Sequence, residues 1–238
     1  MSTNPVMRTE KLVKTYKTAS VETPALRGVD LELCRGEFTA VAGPSGSGKS
    51  TLLHLLGGLD RPTAGEIFLD GVLLSSLSRD ALSRLRLDRI GFVFQAYNLI
   101  PVLTVLENTA FVLELRGVAL RERIARARKI LGELGIEKYA NQFPNRISGG
   151  EQQRVAVARA VVAEPAIVLA DEPTANLDSK TSLELIDLMR HLNSEHAATF
   201  LFATHDARLL DRVSRLVTLE DGRIVRDEHR VKLAAARA

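Results

Sequence analysis

The sequence predicts an α/β fold: a mainly parallel sheet, with an N-terminal antiparallel β layer before it and an inserted helical subdomain within it. Three observations carry that prediction. The octapeptide Gly43 to Ser50, GPSGSGKS, fits the pattern G-x-x-x-x-G-K-[ST] and stands between a strand-like apolar run and a leucine-rich helical one. The last third alternates short apolar runs with helical periods, as a parallel sheet requires. Between these, from about Arg79 to Val162, the periods are helical, and the stretch from about Tyr97 reads as an insertion.

The elements follow in order. Short strands are expected at Lys11 to Tyr16, Gly28 to Leu33, Phe38 to Ala42 and Glu66 to Leu69, the last closed by the turn pair Asp70-Gly71. Leu52, Leu53, Leu55 and Leu56 form the packed face of a helix after the Gly-rich loop; Gly57-Gly58 stops it and Pro62 prevents its continuation. In Arg121 to Leu134, Ile124, Ala127, Leu131 and Leu134 share one face, with Arg121, Arg123, Arg128 and Lys129 off it as a solvated side. Ser148 and Glu151 form a capping box before the helical run Gln152 to Val162. A strand at Ala166 to Ala170, a helix carrying Leu185, Leu188, Met189 and Leu192, and a strand at Phe200 to Ala203 come next. A hairpin at Leu216 to Leu219 and Arg223 to Val225 turns at Asp221-Gly222. One domain spans 1–238: a core of 1–95 and 164–238, with the helical insertion at 96–163.

Composition narrows the function classes. The 238 residues carry 32 basic and 29 acidic side chains, a net of +3 with no block of like charge, so electrostatics give no case for nucleic acid. The base-rich tail (Arg223, Arg226, Arg230, Lys232, Arg237) reads as a solvated, partly frayed end. Cys34 is the only cysteine, which excludes an internal disulfide and fits a reducing compartment. The first residues lack the apolar stretch of a signal peptide, and the most apolar later run, Val155 to Ala170, is broken by Arg159, Glu164 and Pro165. The expectation is a soluble, cytoplasmic chain that reaches a membrane only through a partner.

The chemistry begins at the loop. Gly43, Gly46 and Gly48 allow a tight turn whose N–H groups converge on phosphate oxygens at a helix N-terminus. Lys49 adds a charge for the β- and γ-phosphates, and the Ser50 hydroxyl can ligate Mg²⁺. At the end of the apolar strand Ile167-Val168-Leu169-Ala170 stand Asp171 and Glu172. Asp171 is suited to Mg²⁺, and Glu172 to orienting a water for attack on the γ-phosphate. Gly149 and Gly150, just inside a helix, cost stability relative to alanine, which makes sense if backbone there lies against a ligand.

These motifs together resemble an ABC transporter ATPase subunit over nearly the whole chain. Gly43 to Thr51, Gln95, Ile147-Ser148-Gly149-Gly150-Glu151-Gln152-Gln153-Arg154, Asp171-Glu172-Pro173, Asn176-Leu177-Asp178 and Thr204-His205-Asp206 stand in that family's order and spacing. The resemblance implies a P-loop NTPase core that binds ATP with Mg²⁺. Gly43, Pro44, Ser45, Gly46, Ser47, Gly48, Lys49, Ser50 and Thr51 would cradle the phosphates, with Ser50, Gln95 and Asp171 toward the metal. Glu172, His205, Lys49 and Gln95 would serve catalysis. The signature Ser148, Gly149, Gly150 and Glu151 of one subunit would close over the ATP of a second, giving a head-to-tail homodimer. Tyr16 would stack on adenine and Asp178 would communicate across the dimer. Ile147 departs from the leucine that usually opens the signature, a conservative change. His54, His191, His196 and His229 match no motif and read as structural.

The wording of LLGGLDRPTAGEI, GFVFQAYNLIPVLTVLEN and DEPTANLD is similar to the subgroup serving lipoprotein-releasing, macrolide-exporting and antimicrobial-peptide-resistance systems. That likeness implies an integral membrane partner with a large extracytoplasmic domain and a peripheral position on the cytoplasmic face of the membrane. The partner is expected at the cleft near Tyr97, Leu99, Pro101 and Leu103. Two other readings stay open: the ATPase of a non-transporting, cell-division type complex, and a soluble ABC ATPase of translation or DNA repair.

Overall fold

A computed structural model describes residues 5–17, 21–206 and 210–230. Its centre is a six-stranded sheet built from β3 (Phe38–Ala42), β6 (Ile90–Phe94), β7 (Ile167–Asp171), β8 (Phe200–Thr204), β9 (Arg215–Glu220) and β10 (Arg223–His229). Their spatial order is β10-β9-β3-β8-β7-β6, and all neighbours run parallel except the β9–β10 hairpin. β1 (Met7–Lys17), β2 (Glu22–Leu33), β4 (Ala64–Leu69) and β5 (Val72–Leu73) form a second, antiparallel sheet in the order β2-β1-β4-β5. This is the expected pairing of a parallel core with an antiparallel β layer.

Alternation along the central strands sorts side chains onto two faces. Phe38, Ala40, Val168, Ala170, Phe200 and Phe202 point to one core, and Val41, Ile167, Leu169, Leu201 and Ala203 to another. The first core is closed by α3 (Val105–Leu115), α4 (Leu120–Glu133), α5 (Gly149–Val161) and α6 (Ser179–His196). The second holds α1 (Lys49–Leu56) against the antiparallel sheet, with Leu52, Leu53, Leu55 and Leu56 all buried. The helix α2 (Arg79–Arg89) leads into β6.

Several elements differ from the sequence reading. The helical stretch expected from Arg79 to Val162 is interrupted by β6, whose run Ile90–Phe94 contains Gly91 and stands between helical periods, and gains its place by pairing with β7. β1 and β2 are longer than expected because each pairs with the other along most of its length. The base-rich end is a strand as far as His229, held by a buried guanidinium: Arg215 donates to both oxygens of Asp227, to Glu37 and to the carbonyl of Glu32. That tie holds Asp227 below the usual carboxylate range. Lys232 and Arg237 lie outside the described residues. Cys34 is half-buried. No helix among the described residues is long and apolar enough to cross a membrane.

Candidate functional site

Parallel strands bring their carboxyl ends to one edge, and the motif residues follow those ends. Gly43 follows β3, Asp171 ends β7, His205 follows β8 and Gln95 follows β6. Cα pairs Ala42 with Thr204, Ala203 with Asp171, and Asp171 with Phe94 fix the alignment.

The loop between β3 and α1 is shaped by its neighbours. Gly48 caps α1 with a left-handed φ of 106°, and a Cβ there would stand 2.5 Å from the Ala25 carbonyl oxygen. Only glycine meets both demands. Pro44, Ser45 and Gly46 are exposed, whereas Ser47 is buried; its N–H donates to the Pro44 carbonyl at 3.2 Å and its own carbonyl accepts from Gly222 at 3.0 Å. The Lys49 ammonium folds back into the loop, donating to the carbonyls of Gly43 at 2.8 Å and Pro44 at 3.0 Å. Thr51 is half-buried on the first turn of α1.

Two oxygen donors meet beside this loop. The Ser50 hydroxyl donates to Asp171 Oδ1 at 2.9 Å, so helix α1 and strand β7 present a hydroxyl and a carboxylate together. Hard oxygen donors of this kind fit Mg²⁺. His54, one turn further along α1, holds its Nε2 3.8 Å from Asp171 Oδ2. His54 matches no motif, and its structural reading in the sequence says nothing of this contact.

Glu172 adopts a left-handed backbone with φ 47°, a conformation that costs free energy in a side chain of this kind. Its Oε1 lies 2.9 Å from His205 Nδ1, and its carboxylate is largely shielded while the imidazole is open. With the carboxylate ionised, Nδ1 carries the proton and donates. Such a ring can donate from Nε2 to a second anion only as the imidazolium.

Gln95 has an exposed side chain, and its carbonyl accepts from Asn176 Nδ2 at 3.0 Å. Asp178 caps α6, accepting from the N–H groups of Lys180 and Thr181 at 3.0 Å and from the Thr181 hydroxyl at 2.6 Å. Those bonds hold its carboxyl below the usual range. Tyr16 is an exposed ring whose hydroxyl donates to Asp60 Oδ2 at 3.1 Å, with Lys14 Nζ 4.8 Å from its centroid.

The signature turn stands apart. Ser148, Gly149, Gly150 and Glu151 share no hydrogen bond or ion pair with the loop at 43–51 among the described residues. Ser148 and Glu151 complete the expected capping box: the Glu151 N–H donates to the Ser148 hydroxyl at 3.3 Å, and the Ser148 N–H donates to Glu151 at 2.7 Å. Burial raises the Glu151 carboxyl, but hydrogen bonds from Tyr139 and from Ser148 outweigh it and keep it low. The two glycines also lie close to side chains of the same chain. A Cβ at Gly149 would meet the Tyr97 hydroxyl at 2.8 Å, and one at Gly150 the Thr181 methyl at 2.6 Å. Their presence alone is therefore no argument for a ligand there.

A groove of about 670 Å³ opens between α2 and β6 on one side and α3 and α5 on the other. Leu59, Phe92, Phe94 and Leu115 give it apolar walls, and Arg84, Arg86, Arg116 and Arg159 line it with no carboxylate among them. Tyr97, Leu99, Pro101 and Leu103, the side chains expected at such a cleft, do not line it; Asn98 does. Leu99 instead packs on the core.

Comparison with known proteins agrees with this geometry. The family model described as ABC transporter matches residues 26–175. A lipoprotein-releasing system ATP-binding protein, LolD, of Anaeromyxobacter dehalogenans is 46% identical over 224 residues, covering 94% of each chain. Uncharacterized ABC transporter ATP-binding proteins of Thermotoga maritima and Methanocaldococcus jannaschii are 45% and 44% identical, covering 94% of this chain and 96% and 97% of theirs. Among solved structures, a dimeric post-hydrolysis state of that same Methanocaldococcus cassette, bound to ADP and Pi, superposes with a TM-score of 0.86 at 43% identity. The match covers 94% of this chain and 98% of that one.

Proposed function

The chain belongs to the ABC transporter family of ATP-binding, ATP-hydrolysing cassettes, and from that premise we propose that it powers a lipoprotein- or peptide-handling membrane complex through a separate permease subunit. The observation that carries the ATPase reading is the meeting of Lys49, Ser50, Asp171, Glu172 and His205 at one sheet edge. The kind of complex rests on the likeness to the lipoprotein-releasing ATP-binding protein.

In this reading the N–H groups of Gly43 to Thr51 and the Lys49 ammonium hold the β- and γ-phosphates of ATP. Ser50 and Asp171, with Gln95 toward the same ion, hold Mg²⁺. When bound, the ion neutralises charge on the phosphate oxygens. Glu172 accepts a hydrogen bond from the attacking water and aims it along the line of the γ-phosphate. His205 fixes one Glu172 oxygen, so the other is free for that water, and as the imidazolium it can also donate to the γ-phosphate. Phosphoryl transfer is loose, so aim matters more than basicity. The exposed ring of Tyr16 offers a face to adenine.

The separation of the signature turn from the loop supports a homodimer in which Ser148, Gly149, Gly150 and Glu151 of one copy cover the ATP of the other. Asp178, capping a helix beside Gly150, would pass changes across that interface. The groove beside β6 is the place for a cytoplasmic segment of the permease, which would carry a large extracytoplasmic domain. The chain would then sit peripherally on the cytoplasmic face of the membrane. A tagged Glu172→Gln protein, expressed in its native cell and extracted gently with membranes, tests this. Copurification of a few-span membrane protein with a large outer domain is the expected result. Recovery of soluble proteins or nucleic acid alone overturns the transporter reading.

A further inference from the structure

The segment Phe94 to Asn98, which carries Gln95, hangs by its carbonyl oxygens from side chains of other elements. The Phe94 carbonyl accepts from Gln153 Nε2 at 3.4 Å, and that of Gln95 accepts from Asn176 at 3.0 Å. Arg159 donates to the carbonyls of Tyr97, at 2.9 Å, and Asn98. Tyr97 and Asn98 themselves hold left-handed φ values of 58° and 49°. Two of the three donors, Gln153 and Arg159, belong to α5, the helix that begins at the signature turn.

Gln153 is the unusual member. It is fully buried, and its Oε1 has no hydrogen-bond partner. The orientation of the amide is not arbitrary, since a carbonyl can only accept and the NH₂ must face Phe94. An unpaired buried acceptor costs free energy, and an apolar side chain of the same shape would avoid that cost. Gln153 also stands one helical turn after Gly149. A displacement of the signature turn therefore reaches the Gln95 segment through one side chain.

We propose that Gln153 is a positioning residue for Gln95, coupling the signature turn to the segment 94–98. The amide holds the Phe94 carbonyl on α5 in spite of its unpaired oxygen, and Arg159 keeps the far end of the segment on the same helix. The proposal rests on the reading that Gln95 acts at the nucleotide site, and the test separates the two.

Gln153→Leu removes the amide at nearly constant shape. ATP turnover and KM are measured for it, for Gln95→Ala and for the double variant, together with thermal midpoints. Gln153→Leu should lower kcat about tenfold with KM for ATP within about twofold, and its midpoint should be unchanged or raised. Adding it to Gln95→Ala should cause no further loss, because both act through one path. Wild-type turnover in Gln153→Leu, or losses that multiply in full, overturns the proposal while leaving Gln95 in place. Wild-type turnover in Gln95→Ala removes the reading beneath it, and the proposal with it. Should Gln153→Leu fail to fold, Arg159→Lys, which keeps the charge but reaches one carbonyl, must show the same non-additivity with Gln95→Ala; additivity there is equally decisive against it.

Discussion

The carboxyl edge of the central sheet and the groove beside β6 both gather ionisable side chains, but the edge mixes carboxylates with a cation and the groove lining has arginines and no carboxylate. At the edge, Asp171 meets the Ser50 hydroxyl, Glu172 meets His205, and the Lys49 ammonium donates to the carbonyls of Gly43 and Pro44. In the groove three of the four arginines bond to backbone carbonyls, and Arg116 also lies 3.6 Å from the Asp88 carboxylate. Arg86 donates to the Gly58 carbonyl, Arg116 to those of Leu87, Asp88 and Ala163, and Arg159 to those of Tyr97 and Asn98. Burial pulls both Arg116 and Arg159 below the ordinary arginine value, though an arginine stays charged throughout the working range. Arg84 has no hydrogen bond or ion pair among the described residues. The lesson is that the edge gathers side chains of both signs for ATP chemistry, whereas the groove is an electropositive, half-apolar surface of the kind proposed above for a permease segment.

The largest effects should fall at the edge. Lys49→Ala should abolish measurable nucleotide binding. Glu172→Gln should keep binding and lose roughly 100-fold or more in turnover, the scale seen when one transition-state contact is removed from a preorganised site. Equilibrium binding of a fluorescent ATP analogue, with steady-state phosphate release, separates the two. Glu172→Gln hydrolysing at the wild-type rate would end its assignment as the water-positioning carboxylate.

A smaller and differently distributed effect is expected in the groove. Arg84→Glu combined with Leu115→Asp reverses its one uncommitted charge and wets its apolar wall. The pair should weaken permease binding about tenfold or more, the scale of lost charge complementarity at an interface, while isolated-chain turnover changes far less. Permease titrations against both proteins measure this. If complex formation and stimulation both survive, the partner docks elsewhere.

How much of this could be read in the sequence follows the same division. Gly43 to Ser50, Asp171-Glu172 and the capping box at Ser148 are legible because a fixed chemistry imposes residue types at fixed spacing. β3, β7 and β8 are legible too, since a strand buried on both faces is a short continuous apolar run. β6 was hidden because its run Ile90–Phe94 contains a glycine and stands between helices; that glycine is required by the Ala160 carbonyl of α5, a contact remote in sequence. His54 and Arg159 carry no motif of their own, and Gln153 stands in the signature run with nothing there to mark its contact. Their neighbours Asp171, Phe94 and Asn98 are supplied by tertiary packing, which no local spacing encodes. For the stretch expected to meet the partner, the sequence leaves core packing and docking equally open, and the structure packs Leu99 on the core.

The smallest effect gives the sharpest contrast, because two helices, one beginning at the signature turn and one beside the groove, start with the same local device. α5 starts with the capping box Ser148/Glu151 and α3 with Thr104/Glu107, and in both the hydroxyl accepts from the N3 N–H while the glutamate accepts from the cap N–H. Ser148→Ala and Thr104→Ala should each cost about 1 kcal/mol of stability, measured by urea unfolding. Both glutamates are held below their ordinary value of 4.5, Glu107 by the backbone and hydroxyl of Thr104. A depressed folded value means that each box contributes fully above the unfolded value and loses its contribution as pH falls through the folded one. The alanine variants should therefore differ most from wild type near neutral pH and converge with it in acid. Stability treats the boxes alike, but turnover should not. Only Ser148 belongs to the turn proposed to cover ATP, so Ser148→Ala should raise KM for ATP or lower kcat beyond any loss in Thr104→Ala. Equal kinetics in the two variants would reduce the signature box to a helix cap and leave recognition of ATP to the backbone of Gly149 and Gly150.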